Sequence, residues 1–587
     1  MVMRGAPTTT ATSPRPTRSS ATVEQPEATH RGRRNLPLPT LVLIEGVLAA
    51  GLVGWAVSGS SLGWIALIIA ALASLALIPL RGRRSMAGAW SHRAGFRWAR
   101  ARRATTDLIP ASFDIPAGPQ TGRTPLRTPT SGTDTIGARW VGDTLITVLR
   151  VSPGTPAVTY LTPAGATVSD PTGQLVPLDA LAECINPFDI RLDSIEVISH
   201  GVRSWGGGPI AQTYHRTLGP LAATAHRSVL VVLRLNPLDC ADAVARRGGG
   251  AVGALRTATI STRRVANRLS ESGLRVAVLN AAEITTVTTQ LSEGAPIDDM
   301  GEEWDSIAAG DLRFRSALID PAVLDTVLST IWVNTALSTT TTVRLRHDSE
   351  GGLEVSGMVR FAELPSAGRA VDSLPAGLTV LEGYQFDALA ASLPIAVPGR
   401  LDRHLHGAHG DDALALLRAI RIPAGGCGQL VGADHSGRAV AVPLLGPDVR
   451  AVAVCAGPQV VGQVILRAIA IGAAVTVHSV RPTHWQNLIA QVGDQRRLAL
   501  SSDRVQTPMG HRVAVYDGLT PPPAEPHTTH LTVLAPGDPR VTDLVPDAAV
   551  IVRQNPRAPQ DISVTTAHER VAVTMVATPD EWKMLGR

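Results

Sequence analysis

Two long apolar stretches follow one another near the N-terminus and constrain the fold more than any other feature. They run from Leu36 to Val57 and from Leu62 to Leu80, and only the short polar turn 58–61 separates them. Each stretch is about 20 residues long, which is enough for a helix to cross the hydrocarbon core of a bilayer. We therefore predict a transmembrane hairpin in residues 35–85, with spanning segments 36–57 and 62–80.

Arginine clusters lie outside both ends of this hairpin. Because positive residues mark the cytoplasmic side of a membrane, both flanks are predicted to be cytoplasmic. Such a run also attracts anionic lipid headgroups, whereas nucleic acid binding is not expected, since no recognition motif or aromatic interleaving accompanies it. The prediction is a two-pass protein of the plasma (inner) membrane with a cytoplasmic N-terminus and main body. The arginines expected to contact headgroups are Arg31, Arg33, Arg34, Arg81, Arg83, Arg84, Arg93 and Arg97.

An alternative interpretation treats the first stretch as a cleaved signal peptide. The segment Ala56-Val57-Ser58 faintly resembles a cleavage site with small residues. The apolar run is, however, longer than a typical signal-peptide core, and a second stretch with its own arginines follows. The hairpin is therefore the favoured interpretation.

Small residues recur at a spacing of four within both stretches, which suits close helix packing in a membrane. Glu45 is the ionisable residue of the first stretch. It either takes part in proton relay or pairs with a partner residue, or it simply reaches the headgroup region. The small residues predicted to pack against a helix are Gly46, Ala50 and Gly54 in the first stretch and Ala66, Ala70 and Ser74 in the second.

Lysine is almost absent from the chain, and this excludes several kinds of chemistry. The only lysine is Lys583. A P-loop ATPase, a protein kinase and a pyridoxal enzyme each need a lysine at a defined position, and arginine cannot deprotonate to replace it as a nucleophile. The four cysteines form no CxxC motif, which argues against a zinc site or a disulfide framework.

The chain of 587 residues is 44% apolar, which the hairpin explains only in part, so there is enough material for two or three soluble domains. We predict an α/β body made of two α/β units with mixed sheets. The complete division is a disordered tail 1–34, the hairpin 35–85, a basic juxtamembrane segment and linker 86–135, a first α/β domain 136–400, a linker 401–412 and a second α/β domain 413–587.

Alternating strand and helix patterns support this division. In the first domain, strands 228–235 and 274–279 flank a helix at 251–272, which implies some parallel pairing. Segment 157–161 is predicted to form a hairpin with the preceding strand across Pro153-Gly154. The second domain has a βαβ pattern at 451–455, 460–471 and 474–478.

Three motifs invite a chemical interpretation. Residues 457–464 place two glycines at P-loop spacing, but Gln463 and Val464 stand where lysine and a hydroxyl residue belong. The topology is therefore nucleotide-binding-like but degenerate, either a vestigial nucleotide site or a plain packing turn. Residues 248–253 satisfy GxGxxG and open a helix, so they are either a dinucleotide site, a contact for an anion or an acidic partner, or a structural helix start, which is the favoured interpretation.

The third motif is formed by His404, His406 and His409, which spell HxHxxH. Ala408 replaces the aspartate of the metallo-β-lactamase pattern that the motif approaches. The histidines are either improvised metal ligands or solvated linker residues. We predict no catalytic residue, cofactor or metal site.

Several short sequence patterns accompany the hairpin. They are Trp140-Val141-Gly142-Asp143, Leu181-Ala182-Glu183-Cys184, Leu192-Asp193-Ser194-Ile195, Leu218-Gly219-Pro220-Leu221, Arg247-Gly248-Gly249-Gly250 and Arg263-Arg264-Val265-Ala266. Together with the hairpin, these patterns resemble the EccE family, a membrane component of the type VII (ESX) secretion system of mycobacteria and related actinobacteria. The resemblance is strongest over 36–290.

This resemblance implies a noncatalytic structural subunit that contributes to protein export. Its implied partners are EccB, the ATPase EccC, EccD and the mycosin protease of the same membrane complex. The alternative from the residues themselves is a membrane-anchored enzyme of the cell envelope that uses a nucleotide or nucleotide sugar, because the βαβ pattern is compatible with one.

Overall fold

The computed structural model describes residues 38–58, 61–77, 86–103, 110–116, 135–170, 172–186, 188–205, 208–347, 351–367, 370–371, 373–395, 401, 404–446, 449–501, 512–523, 528–539 and 541–585. The predicted disordered tail 1–34 and most of the linker before residue 135 lie outside these residues. So do Arg31, Arg33, Arg34, Arg81, Arg83 and Arg84, so their predicted headgroup contacts stay predictions.

The chain divides into two compact units, 1–94 and 95–587. The helices are α1 Leu38–Ser58, α2 Ser61–Leu77, α3 Met86–Arg103, α4 Leu178–Glu183, α5 Pro209–Leu218, α6 Ala241–Arg246, α7 Gly250–Glu271, α8 Ala281–Leu291, α9 Leu324–Thr330, α10 Gln385–Ala391, α11 Gly410–Ala419, α12 Pro458–Ala470, α13 Pro482–Val492, α14 Val541–Leu544 and α15 Pro579–Met584.

The second unit contains two large sheets. The first has the main strand order β1-β2-β3-β7-β6-β12-β13-β11-β10-β9, and β8, β14 and β15 pair with β3, β11 and β13. Its strands are β1 Ser112–Pro116, β2 Thr135–Val141, β3 Thr144–Ser152, β6 Ser194–Val202, β7 His226–Leu235, β8 Arg275–Val278, β9 Gly301–Glu302, β10 Ile307–Ala309, β11 Leu312–Ile319, β12 Ser338–His347, β13 Leu353–Glu363, β14 Leu378–Val380 and β15 Ala408–His409.

Parallel pairing was expected in this first sheet, but its described strands pair antiparallel throughout. Strands β7 and β8 do run in the same direction, as the strand-helix-strand pattern implies. Strand β7 pairs with one edge of β3 and β8 pairs with the other, both antiparallel. Leu149 of β3 is paired with a residue of each strand. An earlier strand therefore lies between the two, which sequence order alone does not reveal.

The second sheet has the order β20-β19-β21-β22-β18-β23-β24-β25-β16-β17-β4-β5, and its first six strands are parallel. The predicted βαβ unit forms β18, α12 and β19. The strands are β4 Thr159–Thr162, β5 Gly165–Val168, β16 Gln429–Ala433, β17 Ala439–Val442, β18 Ala451–Cys455, β19 Ala474–Ser479, β20 Leu498–Leu500, β21 Arg512–Asp517, β22 Thr528–Leu534, β23 Val550–Asn555, β24 Ala558–Thr565 and β25 Arg570–Met575.

The predicted boundary at 401–412 does not coincide with the division between the sheets. Strands β4 and β5 come early in the chain, yet β4 pairs with β17 of the second sheet instead of forming the expected hairpin with β3. In the other direction, β15 pairs with β13, and α11 packs Ala413 and Leu417 into the core of the first sheet. The two halves of the chain therefore exchange elements.

Alternating apolar residues bury both faces of the first sheet. On β3, Leu145 and Leu149 enter the core that α4, α7, α9 and α11 cover, while Ile146 and Val148 enter the core under α8 and α10. A clean apolar-polar alternation is therefore absent from the central strands. In the second sheet, α5, α12 and α13 cover one face, and α14 packs against the other.

Candidate functional site

Helices α1 and α2 pack against each other through small residues. An ideal Cβ built on Gly51 would lie 2.4 Å from the Cβ of Ala70, and one built on Gly54 would lie 3.5 Å from the Cβ of Ala66. Close approach of this kind is the usual basis of helix association in a lipid environment. Gly51 is therefore the position at which the helix pair tolerates a side chain least.

The predicted small residues differ in how far they are buried in the contact between α1 and α2. On α2, Ala70 and Ser74 are buried and Ala66 is half-buried. On α1, Gly54 lies at the contact, but Ala50 is exposed and an added Cβ on Gly46 would meet nothing within 4 Å. The contact line on α1 passes through Gly51, one residue away from the predicted stripe, because several small residues of α1 lie close together and spacing alone does not decide which face is used.

The outer surfaces of this helix pair are strongly apolar. Trp55 and Trp64 lie at the turn, where their rings form an edge-to-face contact with centroids 5.9 Å apart. Glu45 is exposed as well, so its carboxylate lies outside the buried contact. The exposed large apolar residues are Val42, Leu43, Leu48, Leu52, Val53, Trp55 and Val57 of α1 and Trp64, Ile65, Ile68, Ile69, Leu72 and Leu75 of α2.

Within the described residues, no helix has both the length and the apolarity needed to cross a membrane. The two-pass topology therefore stays a prediction. Helix α3, which follows, combines exposed Arg93 and Arg97 with exposed Trp90 and Trp98. Basic and aromatic side chains in this combination suit a membrane interface.

The P-loop-like turn is filled by the protein's own groups. The Gly457 N–H, at the N-terminus of α12, donates to Oε1 of Gln554 at 2.7 Å. Gln463, which stands at the lysine position, is buried and donates through Nε2 to the Val576 carbonyl at 3.1 Å. A phosphate would need the Gly457 N–H and a cation at this position, whereas the N–H is bound to Gln554 and Gln463 is bound to the Val576 carbonyl, as in a packing turn.

A buried ion pair attaches the C-terminal helix to α12 beside this turn. Arg467 donates through Nε and Nη2 to the two carboxylate oxygens of Glu581, at 2.8 and 2.9 Å. Both side chains are at least 96% buried. Arg467 also donates to the carbonyls of Leu430 and Val576. The pair therefore connects β16, α12 and α15 in one network.

The glycine triplet 248–250 forms a tight connection into α7. All three glycines have positive φ angles, and Gly249 N–H donates to the Val244 carbonyl. Arg246 and Arg247, the cations that could assist an anion there, both bind Asp189 at 3.0 and 2.8 Å, and they hold the pKa of its carboxyl well below the usual range. The glycine triplet is therefore explained as a tight structural turn that begins α7.

The three histidines of the HxHxxH motif lie in different surroundings, and His406 is exposed. The His404 ring packs against Tyr384 with centroids 4.4 Å apart. His409 belongs to β15 and lies opposite Glu354 of β13. In the part of the chain that the structure describes, no group of three or more histidine, cysteine, aspartate or glutamate residues is arranged to hold a metal ion.

A buried polar cluster under the first sheet was missed by the sequence analysis. Glu293 accepts a hydrogen bond from Ser338 and lies 3.5 Å from Nε2 of His200. The other ring nitrogen of His200 lies 2.9 Å from the Thr340 hydroxyl, which also accepts from Arg360 at 3.2 Å. The sequence contains no sign of this cluster, because a glutamate between a helix and a glycine, such as Glu293, is a common arrangement.

The backbone and the protonation states of this cluster are unusual. Glu293 has φ +55°, a left-handed conformation that ordinarily favours glycine just after a helix. Burial raises the pKa of Glu293 to about 7. Burial, and then the positive charge of Arg360, lowers the pKa of His200 to about 3. Between those values the two side chains are a neutral pair, so Arg360 supplies the positive charge of the cluster.

We expect Glu293→Gln to stabilise the protein at pH 8 and to give a much smaller gain at pH 5. Between its ordinary pKa of 4.5 and about 7, Glu293 keeps a proton in the folded state that the unfolded chain releases. The wild-type free energy of unfolding therefore falls as pH rises through this window, by about 3 kcal/mol in total. Glutamine is neutral and lacks this dependence. Chemical denaturation at several pH values measures it.

The comparison between variant and wild type cancels the opposite contribution of His200, whose stabilisation grows as pH rises from about 3 to 6.5. Glu183→Gln is the matched control, because that carboxylate is exposed and pairs with Arg268 at the surface. A difference between Glu293→Gln and wild type that stays constant from pH 5 to pH 8 would contradict the prediction.

The fold and these surfaces describe a two-sheet α/β protein that carries an apolar helix pair. A family model described as "Putative type VII ESX secretion system translocon, EccE" matches residues 223–317, which extend from β7 into β11. Over this segment the chain is similar to the EccE family.

Curated relatives extend this match well beyond that segment. The ESX-1 secretion system protein EccE1 of Mycolicibacterium smegmatis is 27% identical over 420 residues, covering 70% of this chain and 76% of the relative. The ESX-5 secretion system protein EccE5 of Mycobacterium marinum is 26% identical over 45% of this chain and 66% of the relative. The ESX-2 secretion system protein EccE2 of Mycobacterium tuberculosis is 23% identical over 52% of this chain and 53% of the relative.

Proposed function

We propose that this chain is a noncatalytic structural subunit of a type VII (ESX) secretion complex, where it stabilises the assembly and so contributes to protein export. The observation that carries the proposal is the match of residues 223–317 to the EccE family model, together with relatives from three ESX systems that are named as secretion system proteins.

We infer that the complex is anchored in the plasma membrane and that α1 and α2 hold this chain there. Their outer surfaces expose large apolar side chains over most of the helix length, which is unfavourable in water and favourable in lipid. The arginines on both sides support a two-pass arrangement with the N-terminus and the main body in the cytoplasm. The exposed arginines and tryptophans of α3 suit the adjacent headgroup layer.

The contacts at the glycine motifs support a noncatalytic role. Gln554 already binds the Gly457 N–H, the Gln463 side chain is bound to the Val576 carbonyl, and Asp189 binds Arg246 and Arg247. The alternative of an enzyme that uses a nucleotide or nucleotide sugar has no support in the comparisons. Thermal-shift measurements of the purified protein with nucleotides test it directly, because a specific ligand raises the melting temperature. Specific stabilisation by a nucleotide would reopen the enzyme hypothesis.

We propose EccB, EccC, EccD and the mycosin protease of the same ESX system as partners. The test is affinity purification of the tagged full-length chain from native membranes in mild detergent, followed by identification of every retained protein. Recovery of these subunits is expected. Recovery of a solitary, monodisperse chain, or of envelope biosynthetic enzymes alone, would overturn the proposal.

We expect Gly51→Ile to reduce the recovery of the partner subunits by roughly tenfold. The new side chain would collide with Ala70 of α2, and overpacking of this kind typically costs about 1–3 kcal/mol. The separated helices would then present an altered surface to the complex. Quantitative mass spectrometry of the purified material measures the recovery, and the melting temperature in detergent reports on the helix pair itself.

Gly46→Ile is the matched control, because an added Cβ at that position meets open space within the chain. It should leave the melting temperature of the isolated chain unchanged. If Gly51→Ile behaved like Gly46→Ile in both measurements, close packing of α1 on α2 would not contribute to assembly.

A further inference from the structure

The side chain of Phe188 is the most exposed large apolar side chain among the described residues of the second unit. It is 94% exposed and lies in the connection between α4 and β6. Its φ angle is +59°, a left-handed conformation that is a genuine outlier for a bulky residue. Full exposure and backbone strain are both unfavourable, and they coincide at this one position. Strain of this kind clusters at functional sites.

One arginine of α7 contacts this phenylalanine, and further arginines of α6, of its C-terminal cap and of α7 are linked to the same region. The guanidinium of Arg264 lies over the Phe188 ring, 5.4 Å from its centroid. Asp189, the next residue, binds Arg246 and Arg247, and the Arg247 carbonyl accepts a hydrogen bond from Arg256 at 3.1 Å. These contacts place Phe188 and four arginines on one continuous patch of the surface.

Apolar side chains of α7 lie between the arginines. Val252, Arg256, Ile260 and Arg264 follow one another at a spacing of four, which puts successive residues on neighbouring parts of one helix surface. Val252 and Ile260 are both exposed. We call the patch formed by Phe188, Val252, Arg256, Ile260 and Arg264 the Phe188 surface.

We propose that the Phe188 surface binds an acidic segment of a partner protein, with Phe188 inserted into an apolar pocket of that partner. The proposal deepens the proposed function and rests on it, since the expected partner is another subunit of the complex. The Phe188 surface as defined contains two arginines, Arg256 and Arg264, and no carboxylate, so the complementary surface is negative. Aromatic and arginine side chains at the centre of a contact are the residues that dominate interface energies.

A protein suits this surface better than a lipid bilayer does. Arg246, Arg247 and Arg268 are held by Asp189 or Glu183, and Arg256 by a backbone carbonyl. Such fixed positions match a partner of defined shape, whereas binding to headgroups uses basic side chains that adapt to a fluid layer. The single exposed ring of Phe188 likewise suits one apolar pocket on a partner protein.

The test places a photo-crosslinking phenylalanine analogue at position 188 of the full-length chain in native membranes. The crosslinked peptide is then identified by mass spectrometry. The expected result is one adduct to a partner segment rich in aspartate and glutamate. Arg256→Glu and Arg264→Glu should each reduce its yield by roughly tenfold. The analogue placed at Leu238, another exposed apolar position, and the exposed substitution Arg496→Glu are the controls.

An adduct to lipid only, to a second copy of this chain or to a segment without acidic residues would overturn the inference, as would the absence of an adduct. An unchanged yield in both arginine variants would also overturn it. If the acidic adduct formed with a protein outside the ESX complex, the Phe188 surface would stand as a docking site while the proposed function would fail. If the ESX subunits co-purified and position 188 gave no acidic adduct, the function would stand and this inference would fail.

Discussion

Glu581→Gln is expected to lower the free energy of unfolding of the part of the protein that contains the second sheet by about 3–5 kcal/mol. The reason is that it removes one partner of a buried ion pair. The carboxylate of Glu581 holds Arg467 through two short hydrogen bonds. Without it, the buried guanidinium keeps the carbonyls of Leu430 and Val576 and the Tyr214 ring, none of which carries a negative charge. Denaturation followed by tryptophan fluorescence measures the loss, since Trp582 lies in the same helix.

The neighbouring residue provides the matched control. Asp580 pairs with Arg216 at 2.8 Å, but these side chains are 47% and 63% exposed. Exposed pairs typically contribute about 0–1 kcal/mol, so Asp580→Asn should change stability little. The double variant Arg467→Gln with Glu581→Gln should lose less than the sum of the single losses, as coupled neighbours do. Equal effects of Asp580→Asn and Glu581→Gln would refute the role of the buried pair.

Glu196→Gln is expected to have a comparable effect on the first sheet, again about 3–5 kcal/mol. Glu196 accepts hydrogen bonds from Arg234 at 3.0 and 2.7 Å and lies 3.4 Å from Arg344. These side chains belong to β6, β7 and β12, which are neighbours in the centre of the sheet. The substitution would leave two buried arginines around a neutral side chain, and chemical denaturation of the full chain measures the consequence.

The control for this prediction is Glu183→Gln, which removes a surface carboxylate paired with Arg268. It should change stability by no more than about 1 kcal/mol. Replacing Arg234 by methionine together with Glu196→Met would remove both charges, and this double variant should recover part of the loss because the desolvation cost also disappears. A Glu196→Gln variant as stable as Glu183→Gln would contradict the prediction.

Many individual elements of the fold could be predicted from local patterns. The strand at 451–455, the helix after it and the strand at 474–478 correspond to β18, α12 and β19 because their apolar periodicity and their glycine breaks are strong. The hairpin around Gly142 was predictable for the same reason and forms β2 and β3. Helix α5 ends at Leu218, and the following Gly219 adopts a positive φ angle.

Strand pairing and the polar interior were much less predictable. Nothing near β4 in sequence indicates that it joins β17, which lies far along the chain. Ion pairs such as Arg234–Glu196 and Arg467–Glu581 join residues from different elements, and buried and exposed arginines look alike in a sequence. The Glu293 cluster and the exposed ring of Phe188 became visible only in three dimensions.

The sequence by itself determined the apolar helix pair, the arginines beside it, the scarcity of lysine, the degenerate glycine motif and the resemblance to the EccE family. These are properties of composition and short spacing. Tertiary structure decided which face of α1 meets α2, which strands form each sheet and which polar groups fill the glycine turn. Those outcomes depend on contacts between residues far apart in the chain, whose free energies arise only when burial brings them together.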